Sequence, residues 1–326
     1  MITPPGASAE FLAAFRAKAA GADTLRFDEF MELALYDRSV GYYRRDRNRV
    51  GYGPETDFFT ASTSGPIFGE LVSAAAASLL GEEQARGFTF VEIGAEPDRS
   101  VLADVAHPFR AVRTVRLGDP LVLSGPSVVF SNELFDAQPF RRFVFRRDAW
   151  RELGVTLHGG TLTEIEFTTE TPDVLPPAAA EGYVIDAPLR AIELVEQIAS
   201  APWSGLFLAL DYGKSWRELT EACPAGTARA YRRHRQSNDL LAHPGEQDLT
   251  CHVCWDWLEQ ALRRHGFASP TLESQETFFI RRAGRFIAAT AEAEAARFSQ
   301  RKLALMQLLH PTHLGQKFQV LHAVRA

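Results

Sequence analysis

Residues 88–100, FTFVEIGAEPDRS, constrain this chain more than any other stretch. Phe88 to Ile93 is a short run of β-branched and aromatic residues, the pattern of a buried strand. Glu92 lies within it and Gly94 closes it. An acid and a glycine that end a strand ahead of a helix mark where α/β proteins bring backbone against a nucleotide-like ligand. The glycine-rich cradle expected there is replaced by Ala95, Glu96, Pro97 and Asp98.

Other strands repeat the theme. Ala111 to Leu117 is followed by Gly118-Asp119, and Ser127 to Ser131 by Asn132-Glu133. Leu206 to Leu210 runs into Asp211. Ligands of doubly wound sheets sit beyond the carboxyl ends of the strands. Glu92, Glu133 and Asp211 therefore form the expected constellation. Apolar spacing predicts helices over 24–36, 66–80, 188–200, 253–265 and 292–310. Strands are also expected over 277–281 and 317–324. Arg141 to Thr169 alternates around Gly159-Gly160, the pattern of antiparallel hairpins. Residues 36–62 form a long, turn-rich loop whose dense tyrosines and phenylalanines argue for burial.

Composition narrows the classes. The apolar fraction is 46%, the charged fraction 23% and the net charge −6, so no global basic field points to nucleic acid. No apolar run is long enough for a membrane span. Cys223, Cys251 and Cys254 are few and odd in number, which fits a reducing compartment. A zinc site would need a second ligand pair, and none stands at suitable spacing, so no metal is expected. The N-terminus lacks the basic start and apolar core of a secretory signal. The expected compartment is the bacterial cytoplasm rather than the mitochondrion. The oligomeric state is left open.

Several stretches together resemble the MidA family of methyltransferases, whose mitochondrial members support assembly of respiratory complex I. They are FMELALYDRSVGYY, DFFTAS with FGEL, VEIG, SNELFDAQP, LALDYG, ARAYRRHRQSNDLLAHPGEQDLTCHV and GQKFQVL. They stand in the family's order over most of the chain. The resemblance implies an α/β, class I S-adenosylmethionine (SAM) methyltransferase fold with a Rossmann-like, seven-stranded mixed sheet. It also implies a helical N-terminal cap over 1–86, and a methyltransferase domain over 87–326 with a hairpin insertion at about 140–180. Implied too is methyl transfer from SAM to an arginine of a protein partner.

The cofactor residues so implied are Glu92, Gly94, Asn132 and Asp119, with Asp57 and Thr60 closing the site. Asp119 stands in for the acid that holds the ribose, in a stretch shorter than the family's. Glu133 and Asp136 are the implied pair for the guanidinium, which a carboxylate grips in bidentate fashion. They could instead cap a following helix. His252 is the candidate base. Glu96 stands near the expected place of SAM's methionine carboxylate. Two like charges about 4 Å apart repel by roughly 4 kcal/mol at an effective dielectric near 20. The alternative is a catalytically inactive relative that keeps the fold as a binding or assembly module.

Overall fold

The apolar runs at 88–93, 127–131 and 206–210 become neighbouring strands of one sheet. The computed structural model describes residues 6–326 apart from 46, 48, 52, 54, 58–60, 98, 169–170 and 296–298, with residue 62 described by its backbone alone. In chain order the strands begin with β1 (Thr24–Arg26), β2 (Thr89–Ile93), β3 (Ala111–Val115) and β4 (Gly125–Asn132). Next come β5 (Arg141–Arg146), β6 (Ala149–His158), β7 (Thr161–Phe167), β8 (Val184–Ala187) and β9 (Trp203–Asp211). Two short strands, β10 (Gly213–Lys214) and β14 (Val253–Cys254), flank β11 (Arg229–Arg232), β12 (Arg235–Ser237) and β13 (Asp248–Thr250). The last are β15 (Ala268–Ser274) and β16 (Gln319–Arg325). The α-helices are α1 (Ala9–Ala19), α2 (Phe27–Tyr36), α3 (Pro66–Leu80), α4 (Leu189–Ser200) and α5 (Trp216–Glu221). They continue with α6 (Trp255–Arg264), α7 (Gln275–Arg282), α8 (Gly284–Ala293) and α9 (Gln300–Leu309).

The chain forms two compact units. One gathers Met1–Phe59, Phe135–Glu193 and Lys214–Cys254; the other gathers Thr60–Leu134, Leu194–Gly213 and Trp255–Ala326. The second unit holds a six-stranded sheet in the order β3-β2-β4-β9-β16-β15. Its first four strands are parallel, and β16 runs antiparallel to both neighbours. Six strands stand where the resemblance implies seven. Only nine residues, 116–124, join β3 to β4, too few for a further strand and its crossover.

Helix α3 starts with Pro66 just inside its first turn, where the missing N–H costs nothing. Its Phe68, Leu71, Val72 and Ala75 pack with Phe90, Phe130 and Leu208 of the sheet. Gly69 lies so close to the chain beyond β2 that an added Cβ would sit 1.9 Å from the Val101 carbonyl oxygen.

The expected helix after Gly94 does not form: among the described residues, 94–110 are turns and extended chain. Pro97 and Pro108 bracket only ten residues, and each disfavours helix at the residue before it. The expected strand at 277–281 is helix α7. Ser274 caps it by accepting the Thr277 N–H (3.2 Å), and Phe279 packs edge-on against Phe68. Local capping and tertiary contact override the β-propensity of Thr277, Phe278, Phe279 and Ile280. The long helix expected over 292–310 is two, α8 and α9, with Ser299 capping the second.

The first unit joins a five-stranded antiparallel sheet, β1-β6-β5-β8 with β7 on β6, to a three-stranded one, β12-β11-β13. The β6–β7 hairpin turns at Gly159 and Gly160, both at positive φ, as a two-residue turn requires. The helix expected over 24–36 begins only at Phe27. Thr24 to Arg26 pair with β6 instead, and Leu25 is buried there. Phe11, Phe15, Phe27, Phe30 and Met31 share one core with Phe140, Val155 and Leu249.

Candidate functional site

In the second unit the interesting end of the sheet is the carboxyl end of β2, β4 and β9. Parallel pairing sets Glu92 beside Phe130, and Asn132 beside Leu210. Glu133 then follows β4, and Asp211 is the last residue of β9. Glu133 sits at φ +51°, a left-handed conformation uncommon for a residue with a long side chain. Its N–H donates to the Leu210 carbonyl (2.9 Å), which holds the turn. The Asn132 amide donates to Glu133 Oε1 (3.0 Å) and steadies a carboxylate that is half-buried. Strain of this kind persists where surrounding structure imposes it, and it clusters at functional sites.

The other acids are engaged elsewhere. Glu92 accepts the Val101 N–H (2.8 Å), and burial raises its pKa. Asp211 has no solvent exposure, and its Oδ1 accepts the Tyr212 N–H (2.8 Å). Asp119 is exposed and closes its own turn, accepting the Arg116 N–H (2.8 Å). Of the three strand-end acids, Glu92 and Glu133 are half-buried and Asp211 is fully buried.

Gly94 keeps the geometry its sequence position promised. It is exposed, sits at φ +82° and donates to the Val115 carbonyl (2.9 Å). An added Cβ would meet Leu134 Cδ1 at 2.9 Å, so both conformation and space favour glycine. Arg116, which sequence reasoning passed over, donates to the Glu96 carbonyl (3.3 Å) and to Thr114 Oγ1 (2.8 Å). It ties the loop after β2 to the end of β3. A basic residue just past a strand end carries no motif by which to find it.

The remaining candidates lie in the first unit. Asp57 is fully buried: Tyr42 Oη (2.7 Å) and Arg47 donate to one carboxylate oxygen, and the Arg233 N–H (2.8 Å) to the other. Its carbonyl accepts the His234 N–H (2.8 Å). Asp57 thus ties the long loop to the β11–β12 turn. Thr60 lies outside the described residues. Asp136 is buried, and its carbonyl accepts the Cys251 N–H (2.9 Å). The His252 N–H donates to Thr227 Oγ1 (3.1 Å). Burial, helped by the charges of Lys214 and Arg229, lowers the His252 pKa to about 4.

A tyrosine cluster adjoins Asp57, with Tyr42 buried and Tyr36 and Tyr43 half-buried. Tyr36 and Tyr43 stack at 5.5 Å, Arg49 lies over Tyr43 at 5.3 Å, and Tyr43 Oη donates to Asp248 Oδ1 (2.9 Å). Burial raises the Asp248 pKa to about 7. The density of aromatics in the loop forecast the cluster. Asp248 was hidden, because its strand of three buried residues reads as plain core.

Comparison with known proteins adds three findings. A family model described as an S-adenosyl-L-methionine-dependent methyltransferase matches residues 79–272. The mitochondrial protein arginine methyltransferase NDUFAF7 of Xenopus tropicalis is 28% identical over 149 residues, 43% of this chain and 32% of that protein. The Danio rerio protein of the same name is 27% identical over 176 residues, 48% of this chain and 39% of that one. The match thus spans about a third to two-fifths of these relatives' length. A COG1565 superfamily member from Burkholderia thailandensis, crystallised with S-adenosylhomocysteine, superposes with a TM-score of 0.83 at 23% identity. The match covers 99% of this chain and 95% of that one. A native crystal structure of a COG1565 protein from the same organism gives 0.78 at 23% identity, over the same shares. These likenesses bear out the α/β, Rossmann-like fold expected from sequence.

Proposed function

The chain belongs to this family of S-adenosyl-L-methionine-dependent methyltransferases, and we propose on that premise that it methylates an arginine side chain of a protein partner, with a weakened hold on its cofactor. The observation that carries this reading is Glu133. Its carboxylate stands at the carboxyl end of a central strand, on a left-handed backbone that Leu210 and Asn132 hold in place. The names of the vertebrate relatives supply the substrate class. The bacterial fold relatives favour a bacterial cytoplasmic setting.

The residues present accommodate the family's cofactor in part. Gly94 fits it: the backbone is exposed and bare where a doubly wound sheet receives a nucleotide-like ligand. Asn132 borders the same strand ends. Asp119 is a poor ribose ligand, because its carboxylate already closes a turn. Among the described residues no helix N-terminus follows β2 to meet a negative group. When bound, SAM supplies an electrophilic methyl group on a positively charged sulfur.

Glu133 would grip a planar guanidinium through its two oxygens and fix one nitrogen in line for attack. Asn132 limits the rotation of that carboxylate. Such a reaction rests mainly on positioning: the nitrogen–methyl bond would form as the methyl–sulfur bond breaks, S-adenosylhomocysteine would leave, and the proton shed by the guanidinium would pass to Glu133 or to solvent. His252, neutral near pH 7, is then a spectator in the chemistry.

Calorimetric titration of the whole chain with SAM and S-adenosylhomocysteine tests the hold on the cofactor. Near-millimolar binding that tightens in Glu96→Gly is expected. Micromolar binding by the unaltered chain would overturn the weakened site. Label transfer from methyl-tritiated SAM to arginine-rich peptides tests the chemistry. Glu133→Gln should lower it about a hundredfold, the size of a positioning loss.

A second reading has its own support. With no helix between β2 and β3 among the described residues, and with Arg116 drawn onto the Glu96 carbonyl, the cofactor side is simplified as in a silent binding module. No binding at millimolar SAM by folded protein selects that reading.

A further inference from the structure

The six-stranded sheet ends at β3, which pairs with β2 alone among the described residues. The bond from Gly94 N–H to the Val115 carbonyl sets the parity of this ladder. Ala111, Arg113 and Val115 turn their backbone groups toward β2, so Val112 and Thr114 turn theirs outward. Among the described residues, those outward N–H and C=O groups have no partner. A strand edge left open in this way is a template for another strand.

Charge singles this edge out further. Arg110, Arg113 and Arg116 fall within seven residues of a chain whose net charge is −6. Arg110 and Arg113 are exposed and Arg116 is half-buried. Their side chains reach neutral oxygens: Arg110 to Thr89 Oγ1 (3.1 Å), Arg113 to the Val122 carbonyl, and Arg116 to the Glu96 carbonyl and Thr114 Oγ1. No carboxylate among the described residues forms an ion pair with any of the three. Leu117 and Val122 beside them are 42% and 56% exposed. The edge therefore offers unpaired backbone, positive charge that at Arg116 acts partly on Glu92, and two apolar side chains. A second copy pairing edge to edge about Arg113 would set that arginine against itself, which disfavours self-pairing.

We propose that this edge receives an extended, acidic segment of a protein partner as an added strand. Backbone bonds to Val112 and Thr114 give the segment its place, and the three arginines select acidic residues along it. The site shares Arg116 with the loop after β2 and does not involve Glu133.

The test uses the whole chain and fluorescence anisotropy with three labelled heptapeptides. One alternates glutamate and valine, one alternates lysine and valine, and one is the acidic peptide N-methylated on every backbone nitrogen. The acidic peptide is expected to bind at least tenfold tighter than either of the others, and more weakly as salt rises. The double variant Arg110→Glu, Arg113→Glu should reverse the preference between acidic and basic peptides. Equal binding of the plain and N-methylated acidic peptides would reduce the edge to a charge effect and overturn strand addition. So would the absence of binding at millimolar peptide. A dimer in sedimentation that Thr114→Pro dissociates would assign the edge to a second copy and overturn the acidic partner.

Discussion

Asp248 is the side chain on which pH acts most directly. Its pKa is about 7 in the fold, against 3.8 ordinarily, because burial disfavours its charge more than Tyr43 and Arg49 favour it. Between about pH 4 and 7 the folded chain keeps a proton that the unfolded chain has released. Stability should therefore fall as pH rises through that window and level off above it. Asp248→Asn keeps an acceptor for Tyr43 and carries no charge. It should flatten the slope and stabilise the protein by roughly 4 kcal/mol at pH 8, with little effect at pH 4. Thermal melts of both proteins across this range check it. His252 is displaced in the direction burial predicts for a base, its pKa lowered to about 4. Folding disfavours its charged form, so its contribution is present above pH 6.5 and is lost as pH falls toward 4. The imidazole resonances of His252 should titrate well below pH 6. A midpoint near 6.5 would show the ring to be solvated.

At the scale of elements, the carboxyl end of β2 depends on how α3 meets the chain beyond it. Gly69 allows that approach, and Gly69→Ala would put a methyl group into the Val101 carbonyl. Backbone cannot yield as a flexible side chain does, so a loss of about 1–3 kcal/mol is expected. Urea denaturation should show a lower midpoint with an unchanged slope. The same segment explains why a helix expected after Gly94 is missing. Pro97 and Pro108 stand in that stretch, and each disfavours helix at the residue before it. The mistaken strand at 277–281 has a related cause. Its apolar side chains suit either structure, and the Ser274 cap with the packing of Phe279 on Phe68 decides for helix.

For the molecule as a whole, a thermal shift with SAM reads the cofactor site through global stability. A ligand at its own dissociation constant stabilises by only about 0.4 kcal/mol, whereas one at a thousand times that constant adds about 4 kcal/mol. One millimolar SAM should therefore barely move the melting temperature of the unaltered chain, and should raise that of Glu96→Gly by several degrees. A large shift in the unaltered chain would place Glu96 away from the bound cofactor. Among the described residues no helix is long and apolar enough to cross a membrane, in keeping with the apolar runs of the sequence.

The sequence by itself determined that strands lie at 88–93, 127–131 and 206–210, that a hairpin turns at Gly159-Gly160, and that Gly94 closes the first strand. Each is a local matter of a short apolar run, of alternation, or of a glycine at a turn. It also marked the candidate acids. Only the tertiary structure decided what each of them touches. Glu92 is drawn to the Val101 N–H, Asp57 to Tyr42 and Arg47, Asp119 to its own turn, and Glu133 to the Asn132 amide. An acid's chemistry depends on burial and on the donors that reach it. For Glu92 and Asp57 those donors come from residues nine or more positions away, whose approach no local pattern records.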